Sequence, residues 1–216
     1  MALSIKICGL KTPEALAAAL QAGADYIGLV FFPPSPRNIP LADARVLADA
    51  TRGRARIVAL TVDPDDDLLA AIVASVKPDL IQLHGNETPE RVAQIRSTFA
   101  TPVMKAIKVA TAADAARALD YGKAADLILF DARPPKGAVL PGGNGVPFDW
   151  HALDDVKGRV SYMLSGGLTP ENVANAIHAT GATAIDVSSG VEGRPGEKDP
   201  DLIQAFIAAA RVTETP

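Results

Sequence analysis

The chain carries one cysteine, Cys8, which closes the apolar run Leu3-Ser4-Ile5-Lys6-Ile7-Cys8 just before Gly9. A lone cysteine forms no internal disulfide, so it is either inert filler or a reactive thiol, and a strand end handing over to a loop favours chemistry. Side chains alternate along a strand. Lys6 and Ser4 therefore share a face with Cys8, Leu127 and Leu129 with Asp131, Gln82 with His84, and Asp186 with Ser188. A thiol and a carboxyl at strand ends are groups suited to proton transfer. His84 also has a plainer reading, as a hydrogen-bonded structural group. Arg37 follows Pro33-Pro34-Ser35-Pro36. Prolines stiffen that loop, so Arg37 could present a planar fork to a carboxylate or phosphate; the plainer reading is a solvated arginine on a turn. Ser165-Gly166-Gly167 and Ser188-Ser189-Gly190 are turns whose backbone N–H groups can cradle a phosphate. One such turn is weak evidence, and two at strand ends are more specific.

The elements that must position these groups alternate along the chain. Apolar, β-branched runs predict strands near 3–8, 25–32, 56–62, 79–84, 102–108, 126–131, 160–165 and 183–188. Helices are expected near 13–22, 41–51, 65–76, 88–98, 111–119, 149–156, 170–179 and 199–211. Thr12-Pro13-Glu14, Thr88-Pro89-Glu90 and Thr169-Pro170-Glu171 each offer an N-cap hydroxyl, a first-turn proline and a carboxylate at the positive helix end. Gly23 and Gly181 read as helix stops. Strand–helix units of this kind imply parallel pairing, and their near-regular spacing favours a closed (β/α)8 barrel over an open doubly wound sheet. The expectation is one domain over residues 1–216, with the chemistry on the loops after the strands. In a closed barrel the first and eighth strands are neighbours. Lys6 and Asp186 are then expected to form a buried ion pair beneath Cys8, which would favour the thiolate. The long segment after the sixth strand, Ala132 to Pro147, contains Gly142, Gly143 and Gly145 and reads as a lid, with a plain insertion as the alternative.

Composition narrows the partners. With 216 residues and 48% hydrophobic content, the chain can bury a full core. A formal net charge of −4 argues against nucleic acid or an anionic membrane as the main partner. No apolar run approaches the ~20 residues that span a bilayer, and Lys6 and Lys11 interrupt any signal-peptide core. A single cysteine suits a reducing compartment, so a cytoplasmic location is expected. His84, His151 and His178 show no metal-ligand spacing, and no metal is expected.

Taken together, several motifs resemble phosphoribosylanthranilate isomerase. They are Lys6-Ile7-Cys8-Gly9, Gln82-Leu83-His84-Gly85, Asp131, Gly142-Gly143-Asn144-Gly145 with Phe148-Asp149-Trp150, Ser165 to Asn172, and Asp186 to Glu192. The resemblance spans nearly the whole chain, with the motifs in the family's order. It implies a (β/α)8 barrel of tryptophan biosynthesis. The implied reaction is an Amadori rearrangement of N-(5′-phosphoribosyl)anthranilate to 1-(2-carboxyphenylamino)-1-deoxyribulose 5′-phosphate. It further implies Asp131 as general acid, Cys8 as general base and Arg37 on the anthranilate carboxylate. Gly166, Gly167, Ser188, Ser189 and Gly190 would form the phosphate cradle, with Gln82, His84 and Asp186 also in the binding site. No cofactor is implied. The expected partner is a small molecule with phosphate and carboxylate groups, and the family includes monomers and homodimers. Arg133-Pro134-Pro135-Lys136 lies where the family varies, and the polar Leu60-Thr61-Val62-Asp63 suggests no role. Two alternatives stand beside this reading: another sugar-phosphate barrel isomerase, whose chemistry is usually run by two aspartates, and a non-catalytic barrel that binds a phosphate ligand.

Overall fold

A computed structural model describes residues 2–133 and 147–214. Eight parallel strands close a barrel in chain order: β1 (Ser4–Cys8), β2 (Tyr26–Phe31), β3 (Arg56–Thr61), β4 (Leu80–Leu83), β5 (Val103–Val109), β6 (Leu127–Ala132), β7 (Tyr162–Leu164) and β8 (Ala184–Val187). Closure pairs β1 with β8, and the register sets Lys6 opposite Asp186. Around the barrel run α1 (Pro13–Ala22), α2 (Leu41–Thr51), α3 (Asp66–Val76), α4 (Pro89–Phe99), α5 (Ala112–Ala116), α6 (Val173–Thr180) and α7 (Pro200–Arg211). After β8 the chain makes a 3-10 turn (Ser189–Val191) and a two-stranded antiparallel hairpin, β9 (Glu192–Arg194) and β10 (Glu197–Lys198).

Alternation along the strands separates two apolar layers. Val58, Leu80, Met104, Ala106, Leu129 and Met163 fill the barrel, with Leu127 packed against them. Ile5, Ile7, Ile128 and Phe130 face the helices in the outer layer. Each fully buried aliphatic side chain contributes roughly 1.5–3 kcal/mol, so this division pins the register of every strand.

Helix ends follow the local chemistry in most places. Thr12 and Thr88 cap α1 and α4, and Gly23 and Gly181 end α1 and α6 in the left-handed region. The third Thr-Pro-Glu motif does not start a helix. Asn172 Oδ1 accepts from Thr169 N at 2.8 Å, so these four residues form a turn and α6 begins at Val173. The helix expected at 111–119 is α5 followed by a 3-10 segment (Arg117–Tyr121), which places the Tyr121 hydroxyl on the Glu87 carbonyl at 2.9 Å. The helix expected at 149–156 is reduced to a 3-10 turn (Trp150–Leu153) capped by Asp149.

The N-terminal end of the barrel is latched by a repeated device. Asp25, Asp79 and Asp126, each just before an even-numbered strand, accept the backbone N–H of Ile5, Ile57 and Val103 at 2.8, 2.7 and 2.9 Å. Each aspartate's own N–H returns a bond to the carbonyl of the same residue. These reciprocal pairs satisfy backbone groups that would otherwise lie unpaired where the ladder begins.

Candidate active site

Cys8 ends β1 at the opposite, C-terminal end, with only 4% of its surface exposed. Its register partner is Gly28, where a Cβ would stand 2.9 Å from the Cys8 sulfur, so glycine at that position makes room for the thiol. Two residues earlier, the wholly buried Lys6 places Nζ 2.8 Å from Asp186 Oδ1. Ser165 Oγ donates to the other Asp186 oxygen at 3.2 Å. The expected ion pair is therefore present, and Lys6 pulls the sulfur in the expected direction, but other influences outweigh it. Burial pushes the Cys8 thiol above its ordinary range, and the pull of Lys6 is too small to reverse that while Asp186 pushes the same way as burial. For Lys6, burial pulls the ammonium down, and Asp186 and Cys8 together outweigh it and raise it. The lysine lies between its aspartate and the sulfur, and burial favours the thiol form of Cys8.

Asp131, near the end of β6, is 4% exposed. Its Oδ1 accepts from Ala132 N at 2.9 Å and its Oδ2 lies 3.1 Å from His84 Nε2. Nδ1 of the same imidazole lies 3.0 Å from Gln82 Nε2. His84 sits just beyond β4 and directs its ring inward, as strand parity required. The β4–α4 loop behind it is fixed by a buried pair: Lys105 Nζ donates to Glu87 Oε2 at 2.7 Å and to the Gly85 carbonyl at 2.9 Å.

Arg37 is not solvated. It is 7% exposed, and its Nε and Nη2 donate to Glu192 Oε1 and Oε2 at 2.7 and 2.9 Å in a two-pronged pair. Lys198, on β10, donates to Glu192 Oε1 at 2.6 Å, to the Ser188 carbonyl at 2.9 Å and to Ser188 Oγ at 3.2 Å. Ser188 Oγ in turn donates to the Cys8 carbonyl at 3.1 Å. Burial pushes the Glu192 carboxyl up, but the bond from Arg37 and the charge of Lys198 outweigh it and hold it below the usual carboxylate range. One network thus joins the loops after β2 and β8 to the end of β1.

Gly166 and Gly167, with φ of 91° and 67°, take left-handed backbone just after β7. Asn172 steadies this turn by donating from Nδ2 to the Gly167 carbonyl at 2.9 Å. Gly190 is packed under the Leu168 carbonyl, which a Cβ would meet at 1.9 Å, so it brings the two turns together. Ser188 and Ser189 line the cleft beside Gly166 and Gly167.

These groups surround one cleft of about 660 Å³. Cys8, Asp131, Gln82, His84, Asp186 and Arg37 all reach it. Packed with Cys8, Val30, Phe32, Leu60 and Val62 form an apolar wall. That gives the end of β3 the role its sequence did not suggest. Sequence reasoning also missed Lys198, and it quoted Glu192 and Asn172 without a function. Glu192 and Lys198 come from the hairpin after β8, and only Lys198 gave no signal by spacing or type. The glycines of the expected lid, along with Pro134-Pro135-Lys136, lie outside the described residues. Among the described residues no cluster of His, Cys, Asp and Glu could hold a metal ion, and no helix is long and apolar enough to cross a membrane.

The model of the family "N-(5′-phosphoribosyl)anthranilate (PRA) isomerase" matches residues 5–209. An N-(5′-phosphoribosyl)anthranilate isomerase of Rhodopseudomonas palustris is 59% identical over 214 residues, covering 99% of this chain and 98% of the relative. One from Nitrobacter winogradskyi is 54% identical, covering 100% and 96%. Among solved structures, phosphoribosylanthranilate isomerase from Thermotoga maritima superposes with a TM-score of 0.88 at 35% identity, over 97% of this chain and 99% of that one. A further phosphoribosylanthranilate isomerase structure, solved with reduced 1-(o-carboxyphenylamino)-1-deoxyribulose 5-phosphate, gives 0.85 at 34% identity over the same shares. The barrel, the cleft and these matches agree: the chain belongs to the N-(5′-phosphoribosyl)anthranilate isomerase family.

Proposed function

We propose that the cleft converts N-(5′-phosphoribosyl)anthranilate to 1-(2-carboxyphenylamino)-1-deoxyribulose 5′-phosphate, with Asp131 as general acid and Cys8 as general base. The observation that carries this reading is the arrangement of the cleft. An acid and a thiol from β6 and β1 share it with an apolar wall on β2 and β3 and paired glycine turns after β7 and β8. The wall suits an aromatic ring, the turns suit a phosphate, and the ribose lies between them, beside both titratable groups.

Asp131 protonates the ribose ring oxygen as the C1′–O bond breaks and the anthranilate nitrogen donates its lone pair, which gives an open-chain iminium ion. Cys8 then removes the C2′ proton to form an enolamine, which tautomerises to the ketose. Each group must leave its resting state: Asp131 must carry a proton and Cys8 must lose one. Lys6 and Lys198 are the cations whose pull on the sulfur favours that loss. Arg37, oriented by Glu192, takes the anthranilate carboxylate. The electrons move within one substrate, so the reaction calls for no redox partner.

The direct test follows the fluorescence of freshly prepared phosphoribosylanthranilate. Turnover by the wild-type chain, lost in both Cys8→Ala and Asp131→Asn, is the expected outcome; an inactive wild type rejects the reaction, and an active variant rejects that residue's role. Arg37→Ala should chiefly raise KM, because the carboxylate contact persists through the reaction. A solved relative is described as dimeric, and a monomer or a homodimer is compatible with this site.

A further inference from the structure

Arg37 lines the cleft, yet Glu192 already engages its Nε and Nη2 in the two-pronged pair. Taken alone, that pair is neutral. It would receive a carboxylate poorly, because Glu192 repels what Arg37 attracts. Lys198 changes the count. Its Nζ meets the same Glu192 Oε1 at 2.6 Å, the Ser188 carbonyl at 2.9 Å and Ser188 Oγ at 3.2 Å. Three acceptors match the three donors of an ammonium. Burial pulls that ammonium below its ordinary range, and the Glu192 carboxylate works against the pull. Two cations therefore share one carboxylate, and the group of Arg37, Glu192 and Lys198 carries one net positive charge.

The fold presents this excess charge at one point. Glu192 and Lys198 stand behind Arg37, with side chains 4% and 1% exposed, so water screens them little. The neighbouring lysines do not replace Lys198. Lys6 is matched by Asp186, and Lys11 bonds the Pro36 carbonyl at an exposed position, where solvent weakens its field. The backbone holds Lys198 in place: β10 pairs with β9, Asp199 N donates to the Val191 carbonyl at 3.0 Å, and the Asp199 side chain caps α7. Glu192 is fixed from a third side by the Gly196 N–H, 3.1 Å from Oε2. We infer that Lys198 is the positioning residue that makes Arg37 a carboxylate receptor. It offsets Glu192, so the clamp orients the guanidinium without cancelling its charge. This inference rests on the reading that Arg37 takes the anthranilate carboxylate.

The test is calorimetric titration of the full chain with two ligands that share the phosphate. One is 1-(2-carboxyphenylamino)-1-deoxyribulose 5′-phosphate, and the other is its counterpart without the ring carboxylate, 1-phenylamino-1-deoxyribulose 5′-phosphate. Wild type should prefer the first. Lys198→Met should weaken the first roughly tenfold and change the second by less than about twofold, since one charge has been removed behind the carboxylate's partner. Should that variant fold poorly, Lys198→Gln, which keeps a donor without the charge, reads the same loss. The double variant Lys198→Met with Glu192→Gln removes one charge of each sign. It should regain most of the lost affinity, whereas a purely structural lysine predicts a further loss. Equal weakening of both ligands by Lys198→Met, or a double variant no tighter than the single one, overturns the inference. Arg37→Ala separates the underlying reading. It should abolish the wild-type preference, and if the preference survives, Arg37 is not the carboxylate's partner and the inference falls with that reading. If Arg37→Ala abolishes the preference and Lys198→Met leaves it intact, the role of Lys198 alone fails.

Discussion

The two ends of this barrel use the same residue type for opposite purposes. At the N-terminal end, Asp25, Asp79 and Asp126 accept backbone N–H groups of the neighbouring strand. At the C-terminal end, Asp131, Asp186 and Glu192 are held by side chains: His84, Lys6 with Ser165, and Arg37 with Lys198. A backbone N–H does not ionise at working pH, so these bonds fasten the sheet. Imidazole and ammonium groups can change protonation, so the second set is of a kind suited to proton transfer. Arginines also reach Asp25 and Asp126, and a backbone N–H also reaches Asp131, so what sets the C-terminal end apart is its imidazole and ammonium partners.

The contrast breaks most sharply at Cys8 and Asp131. Cys8→Ala and Asp131→Asn should each lower kcat by roughly 10²–10⁴-fold, the contribution of a positioned acid or base, while the urea midpoint barely moves. A large stability loss in either would place that residue with the fastening set. Lys6→Met comes next. It strands Asp186 beside the cleft, a change that typically costs about 3–5 kcal/mol, and urea unfolding should show it. The double variant Lys6→Met with Asp186→Leu should recover much of that stability but not activity.

At the other end, Asp79→Ala should cost about 1–3 kcal/mol, because Ile57 N–H loses its side-chain acceptor, with kcat and KM unchanged. A fall in kcat would erase the distinction between the ends. The smallest effects are read by pH. Because burial raises the Cys8 thiol, kcat/KM should keep increasing into the alkaline range, above where an exposed thiol would have levelled off. The same raised value means that the buried thiol's contribution to stability is present at neutral pH and is lost as pH rises through it. Glu192 has the opposite sign. Its carboxyl is held low, so its contribution is present above the ordinary carboxylate range and is lost as pH falls through its folded value. Glu192→Gln should flatten the acid arm of a stability profile measured by thermal unfolding, and an unchanged arm would remove that role.

Much of this was legible along the chain. Alternation of apolar residues placed Lys6 and Cys8 on one face and Ile5 and Ile7 on the other, because a strand's period is two and burial punishes a slip. Threonine-proline and glycine signals marked the ends of α1, α4 and α6 because capping is local. Where Asn172 bonds the Thr169 N–H and the Gly167 carbonyl, the helix start expected at Thr169-Pro170 gave way to a turn. The pull of Lys6 on Cys8 has the expected direction, but the net result depends on how deeply the sulfur is buried and on Asp186 beside it, which no local pattern shows.

By itself, then, the sequence determined the alternating elements, the closed barrel with its inward Cys8 and Asp131, and the glycine turns, all of which follow from short-range periodicity and backbone chemistry. The tertiary structure alone decided that Arg37 is clamped by Glu192, that Lys198 ties the cleft together, that Leu60 and Val62 form part of its apolar wall, and that burial pushes the Cys8 thiol up. Those outcomes depend on distances between residues far apart in the chain and on burial. No local pattern encodes either.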